Sequence, residues 1–260
     1  MDLDTLVYET GADHVATITL NRPAALNAFN HAMCEEFRRV WAAVRDDDDV
    51  HAVVLRGAGE RGFSAGLDRK DPYRNKPNVW DEDGPLAWML PKTSRVWKPV
   101  ICAVHGIAVG GALYWVGESD IVICSDDAQF CDPHVSLGFA SARIPGVFAR
   151  RIPLAEAMRI ALMGADEWLG ARRAFEIGLV SEVVPRARLH ERAHAIAAQI
   201  AAKPPAAVQA TVRAVWDSLD QPLGVVSRNA GSYSLIANPI AARELAAAPP
   251  GTGSRERTVR

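Results

Sequence analysis

Two glycine-containing stretches have residue types and spacing suited to chemistry at a carbonyl. VGGALYWVGESD (109–120) sets Gly110 and Gly111 at the mouth of a helical pattern, with Tyr114 one turn in. GFSAGLDRK (62–70) is a glycine-containing turn after the strand-like run VHAVVLR (50–56). Glycine at such a turn lets a ligand approach bare backbone N–H groups, and a helix start adds roughly half a positive charge. Two N–H donors converging on one point would stabilise a carbonyl oxygen that turns negative during reaction. Glycines that only permit tight turns would look the same, because spacing does not encode convergence.

The elements that must position these turns alternate between strand and helix. HVATITL (14–20), VHAVVLR (50–56) and PVICAVH (99–105) are dense in β-branched residues and predict strands. Shorter strands are expected over 121–124, 128–131 and 179–184. Between the first two strands, Met33, Phe37, Val40, Trp41 and Val44 recur at helical spacing behind Asn30, a fitting N-cap. Helices are expected over 154–163 and 171–177, and from residue 189 the chain is Ala-rich and helical, broken at Pro204 and Pro205. Strand–helix alternation followed by helices alone gives an α/β core, residues 1–190, with a helical C-terminal region, 191–246. The tail, 247–260, lacks apolar patterning and is expected to be disordered.

Composition narrows the classes. With 49% hydrophobic and 23% charged residues the 260-residue chain reads as an ordinary globular protein. A net charge of −2 gives no basic stripe for nucleic acid. The acidic run at 46–49 reads as a solvated loop, and no metal site is expected. Cys34, Cys102, Cys124 and Cys131 form no CxxC pair and read as small buried hydrophobes. With no signal-like N-terminus and no run of roughly 20 apolar residues, the expectation is a soluble cytoplasmic protein that does not enter a membrane.

Five ordered motifs resemble one known family. NRPAALNAF (21–29), GFSAGLD (62–68), KPVICAVHGIAVGGAL (98–113), SDIVICSDDAQF (119–130) and the GLV run ending at Val180 are similar to the crotonase, or enoyl-CoA hydratase/isomerase, superfamily. The resemblance covers about residues 5–215. It implies a spiral of ββα units, assembly as a trimer or a hexamer of two trimers, and an acyl-CoA thioester as substrate. No separate cofactor is implied; coenzyme A enters as part of the substrate. Carried over, the oxyanion hole uses the N–H groups of Leu67 and Gly111. The CoA candidates are Lys70, a solvated surface lysine in the plainer reading, then Arg22 and the backbone near Ala25, with Ala65 and Asp68 in the first motif.

The chain departs from the family where acid/base chemistry is expected. A hydratase of this family has glutamates at the positions held here by Tyr114 and by His134 in DPHVSLG (132–138). No Asp or Glu occurs between Asp132 and Glu156, so no nearby carboxylate replaces them in any register. His134 becomes the candidate acid/base, since an imidazole titrates near neutrality. The alternative is that it packs structurally against the neighbouring helix. Asp132 would orient it if the intervening Pro133 allows them to meet. Tyr114, with an ordinary value near 10, is a donor rather than a base. Glu118 is expected to cap or ion-pair, and Asp68 to stabilise its turn. Trp80, Trp88, Met89 and Leu90 line either an acyl pocket or a subunit contact. The family's closing C-terminal helix motif is absent, leaving Tyr233 and Arg243 as substitutes. The expected activity is hydration or isomerisation through a thioester enolate. The alternatives are a hydrolase or C–C bond-cleaving member, or a non-catalytic acyl-CoA-binding protein.

Overall fold

The computed structural model describes residues 1–74 and 84–247, in two compact units, Met1–Ala202 and Lys203–Arg260. In the first unit β1 (Leu6–Thr10) and β2 (Val15–Leu20) pair antiparallel and lead into α1 (His31–Asp46). The chain then repeats a long strand, a three-residue strand and a helix. The repeats are β3 (Ala52–Gly57), β4 (Gly62–Ser64) and α2 (Pro85–Trp88), then β5 (Val100–Val104), β6 (Ile107–Val109) and α3 (Ala112–Glu118). The third is β7 (Ile121–Ser125), β8 (Gln129–Cys131) and α4 (Arg143–Phe148). α5 (Leu154–Met163), β9 (Leu169–Gly170), α6 (Ala171–Glu176), β10 (Glu182–Val184) and α7 (Leu189–Ala201) follow.

Long strands build a sheet ordered β1-β2-β3-β5-β7-β10, parallel except at its first pair. Short strands build a second sheet, β4-β6-β8-β9, parallel except at its last pair. This is the ββα spiral the resemblance implied. The strands AVVLRG, VICAV and IVICS are near-continuous apolar runs because both faces are covered. One face packs with Phe37, Trp41 and Trp115; the other, through Val54, Ile101 and Ala103, packs with α7. Ala193, Ala197 and Ala201 put small side chains at the centre of that side of α7, with Leu189 at its start. Asn30 caps α1, its Oδ1 accepting the Met33 N–H at 3.1 Å. All four cysteines are buried, and burial pushes the thiols of Cys34, Cys102 and Cys124 up to about 12.

Several expectations change. The glycine turns follow the short strands β4 and β6, not the long strands ending near Arg56 and His105. Gly106, at φ +50, turns the chain from one sheet to the other within two residues, a break hidden inside an apolar run. The strand expected over 179–184 shortens to Glu182–Val184, because Gly178, at φ +82, ends α6 in a turn. Trp88, Met89 and Leu90 are core residues rather than an acyl pocket or a subunit contact. The Met89 carbonyl accepts the indole N–H of both Trp41 (2.9 Å) and Trp115 (3.0 Å). Trp80 lies outside the described residues.

In the second unit α8 (Pro205–Ser218) and α9 (Leu223–Ala247) pack on each other. The Ala206 N–H donates to Glu244, and the Tyr233 hydroxyl donates to the Asp217 carboxylate. Arg243 Nε donates to the Pro239 carbonyl. Residues 248–260 lie outside the described residues.

Candidate functional site

The first glycine turn is fixed by a buried asparagine. Leu26 and Asn27 both adopt left-handed backbone, φ +53 and +52. The Asn27 amide N–H₂ faces the carbonyls of Ala58 (2.8 Å), Phe63 (3.1 Å) and Gly62 (3.2 Å), while its oxygen accepts the Arg22 N–H. Ser64 Oγ donates to the Asn27 carbonyl and accepts the Gly66 N–H. Phe29 N–H donates to the Gly66 carbonyl at 2.8 Å, and Asp68 N–H donates to the Phe29 carbonyl at 2.9 Å. Strand alternation therefore turns the Leu67 N–H away from Phe29.

The second turn arrives from the other side. A Cβ on Gly66 (φ +83) would sit 2.4 Å from the Val109 carbonyl oxygen and 3.0 Å from Gly111 N. A Cβ on Gly111 would sit 2.4 Å from the Phe29 ring. The two turns thus interlock at a separation only glycine allows. No hydrogen bond among the described residues uses the Leu67 or the Gly111 N–H.

His134 stands beside this turn, its Cε1 3.9 Å from where a Gly110 Cβ would be. Its Nδ1 lies 2.5 Å from Asp132 Oδ1. Asp132 is fully buried, and its other oxygen accepts the Ser141 hydroxyl at 2.5 Å. The pair does not meet by strand alternation. Beyond Pro133 the chain turns helical at His134 (φ −55, ψ −49), and Asp132 Oδ1 also accepts the His134 N–H at 3.3 Å. This side-chain-to-backbone turn brings the imidazole back over the carboxylate. An Nδ1–H donated to Asp132 in the neutral ring would leave Nε2 as the acceptor.

Tyr114 lies against the same turn, its Cε2 3.6 Å from the Gly111 Cβ position. Burial, then the nearby Tyr73, pushes its phenol above the usual value; Asp132 adds to this and Arg143 opposes it. The phenol keeps its proton at neutral pH. The Arg143 guanidinium lies 5.7 Å from the Tyr114 ring centre. Glu118 is turned to structural use: it accepts from the Lys92 and Thr93 N–H groups, the Thr93 hydroxyl and Arg143.

The CoA candidates separate. Arg22 pairs with Asp68 at 2.9 Å and donates to the Ala28 carbonyl at 2.5 Å, stapling the first two motifs together. Although burial opposes its ionisation, the Lys70 N–H and Arg22 hold the Asp68 carboxyl below the usual range. Ala25 ends a single 3-10 turn, and Ala65 N–H donates to the Leu26 carbonyl at 2.9 Å. Lys70 is exposed at the edge of this loop pair. Sequence reasoning missed Asn27, Ser141 and Arg143. Left-handed Asn is a known turn signal, whereas nothing in the spacing links Ser141 to Asp132.

Among the described residues no group of three or more His, Cys, Asp or Glu could hold a metal ion, and no helix is long and apolar enough to cross a membrane.

A family model described as enoyl-CoA hydratase/isomerase matches residues 10–231. The chain is 38% identical over 217 residues to the (E)-benzylidenesuccinyl-CoA hydratase of Thauera aromatica, spanning 82% of both chains. It is 33% identical over 221 residues to the short-chain-enoyl-CoA hydratase of Clostridium acetobutylicum, spanning 83% of this chain and 82% of that one. The crystal structure of an enoyl-CoA hydratase/isomerase from Mycobacterium paratuberculosis matches with a TM-score of 0.83 at 39% identity, over 89% of this chain and 90% of that one.

Proposed function

The chain belongs to the enoyl-CoA hydratase/isomerase family, and from that premise we propose that it hydrates an enoyl-CoA thioester with a histidine in place of paired carboxylates. The observation that carries the reading is the meeting of the two glycine turns beside His134, with Gly66 against Gly111 N and the imidazole over Gly110. Relatives named for hydration of acyl groups as different as benzylidenesuccinyl and short-chain enoyl support the reaction class and leave the acyl group open.

In this reading the thioester oxygen accepts from the Leu67 and Gly111 N–H groups. Negative charge gathers on that oxygen as water adds to the β-carbon, and one such donor contributes about 3 kcal/mol to lowering the barrier. Neutral His134 takes a proton from the water through Nε2 as the C–O bond forms. The imidazolium, stabilised by Asp132, then gives that proton to the α-carbon, so one water is added in sum. Tyr114 donates a hydrogen bond that orients water or substrate. Lys70, the exposed cation at the loop edge, meets a CoA phosphate, while Arg22 and Asp68 hold the loops of Ala25 and Ala65 that flank the nucleotide. Self-association as a trimer or hexamer is supported by exposed apolar residues of the first unit, among them Phe139, Leu154 and Leu162.

The test is hydration of a panel of straight, branched and aryl-substituted enoyl-CoAs, followed by loss of the enoyl absorbance. Turnover of at least one is expected. Tight CoA-thioester binding without turnover would favour the non-catalytic binder, which the absence of Asp and Glu from 133 to 155 also suits. No binding would overturn both.

A further inference from the structure

The acid/base side of the site has one guanidinium edge that hydration does not use, on Arg143. Each nearby carboxylate is committed elsewhere. Asp132 is fully buried between His134 and Ser141; Asp68 is paired with Arg22. Glu118 is buried under two backbone N–H groups, a hydroxyl and one corner of Arg143. Arg143 is held by that corner alone: Nη2 donates to Glu118 Oε1 at 3.0 Å and to Thr93 Oγ1 at 3.3 Å. No hydrogen bond among the described residues uses its Nη1 or Nε. Its side chain is 38% exposed.

The position of Arg143 follows from the elements already described. Ser141 is anchored to Asp132, and Arg143 begins α4 two residues later, within about 7 Å of chain. The guanidinium lies over the Tyr114 ring, 5.7 Å from its centre, and Cε2 of the same ring is 3.6 Å from the Gly111 Cβ position. Arg143 is thus linked to the Gly111 turn through the Tyr114 ring that both approach. A planar guanidinium with a free edge, rigidified by stacking on an aromatic ring, matches a carboxylate in bidentate geometry.

We infer that Arg143 selects thioesters whose acyl group carries a second, free carboxylate, and that the Arg143–Tyr114 pair is the acyl-specificity element of the site. This rests on the reading that the site takes an acyl-CoA. The Glu118 contact fixes the guanidinium through Nη2 while leaving its Nη1 and Nε donors without a partner among the described residues, and the neutral phenol beside it supplies a further donor. A neutral alkyl tail would leave the free edge of the guanidinium without a hydrogen-bond partner and partly desolvated, so discrimination operates in both directions.

Binding of saturated thioesters, which cannot be hydrated, tests this apart from turnover. Succinyl-, glutaryl- and adipyl-CoA are compared by calorimetry with their terminal carboxamides and with butyryl-CoA. Wild type is expected to bind the diacid thioester of best length about tenfold or more tightly than its carboxamide. In Arg143→Gln that ratio falls to about threefold or less, and Arg143→Lys retains part of it, because charge survives without the fork. Butyryl-CoA binding with no diacid preference at any length in wild type overturns the inference and leaves the acyl-CoA reading intact. A preference unchanged in a folded Arg143→Gln also overturns it. Failure of every thioester to bind overturns both.

Discussion

The two halves of the site are built by different means. On one side, the loops around Gly66 and Gly111 meet through contacts too close for any side chain, and the side chains that brace them, Asn27 and Ser64, bond to backbone groups. On the other, residues 132–143 are held by side chains: Asp132 to His134, Asp132 to Ser141, Arg143 to Glu118. A backbone-built site leaves a compositional mark, because only glycine fits. A side-chain network leaves almost none, because many residue types bridge the same gap. The first half therefore tolerates little substitution, while the second is where a fold acquires new chemistry.

The largest expected effect breaks the side-chain half while sparing the other. His134→Ala removes the proposed proton carrier but touches neither backbone donor, so kcat falls by about 10³-fold while thioester affinity stays within about threefold. A loss of affinity that matches the loss of rate would place His134 in binding instead. Gly66→Ala breaks the backbone half. Its Cβ would overlap the Val109 carbonyl at φ +83, so the turns must separate. We expect kcat to fall about 10²-fold, as for a missing oxyanion donor, with about 2 kcal/mol lost from unfolding stability by denaturant titration. Unchanged turnover would show that the two turns need not interlock.

Reading the chain forward, the fold was largely legible and the site half so. Long apolar strands and the α1 stripe Met33, Phe37, Val40, Trp41 and Val44 mark themselves, because two-sided burial and helical periodicity constrain many residues together. β4 and β6 did not, since three residues carry no period and the turn at Gly106 hides inside KPVICAVHGIAVGGAL. Trp88, Met89 and Leu90 read equally well as pocket or contact, because apolarity alone does not say which apolar surface it meets. Within the site, the glycine turns at Gly66 and Gly110–Gly111 were visible as turns, while Leu67 and Gly111 as donors came only from the family resemblance. Ser141 was not: its bond to Asp132 depends on a turn through Gly138, at φ +78, that no local pattern specifies.

Ser141→Ala sharpens the comparison on a smaller scale. It leaves a fully buried Asp132 oxygen without its donor, a loss of about 1–3 kcal/mol shared between stability and the held His134 geometry. The expected result is a roughly tenfold lower kcat together with lower unfolding stability, because the carboxylate that orients the imidazole loses its own anchor. Ser141→Thr should restore both. A stability loss with an unchanged kcat would make Ser141 structural only.

Tyr114→Phe is expected to have the smallest effect, and its size decides the role of the phenol. Burial and Tyr73 raise its proton affinity above that of a free phenol, with Arg143 only partly opposing. The folded chain thus favours the neutral phenol more than the unfolded chain does. That stability is present below the ordinary value near 10 and is lost as the pH rises through the raised one. In the proposed role, near neutrality the group donates one hydrogen bond and accepts no proton from carbon or water. Removing it then costs about 0.5–1.5 kcal/mol, a two- to tenfold fall in kcat/KM, with the profile between pH 6 and 9 unmoved. Alkaline unfolding should weaken in the variant, because no phenol has to be ionised against burial. If kcat instead fell about 10²-fold and a basic limb vanished, the phenolate would be the base, and the functional division between His134 and Tyr114 would be reversed.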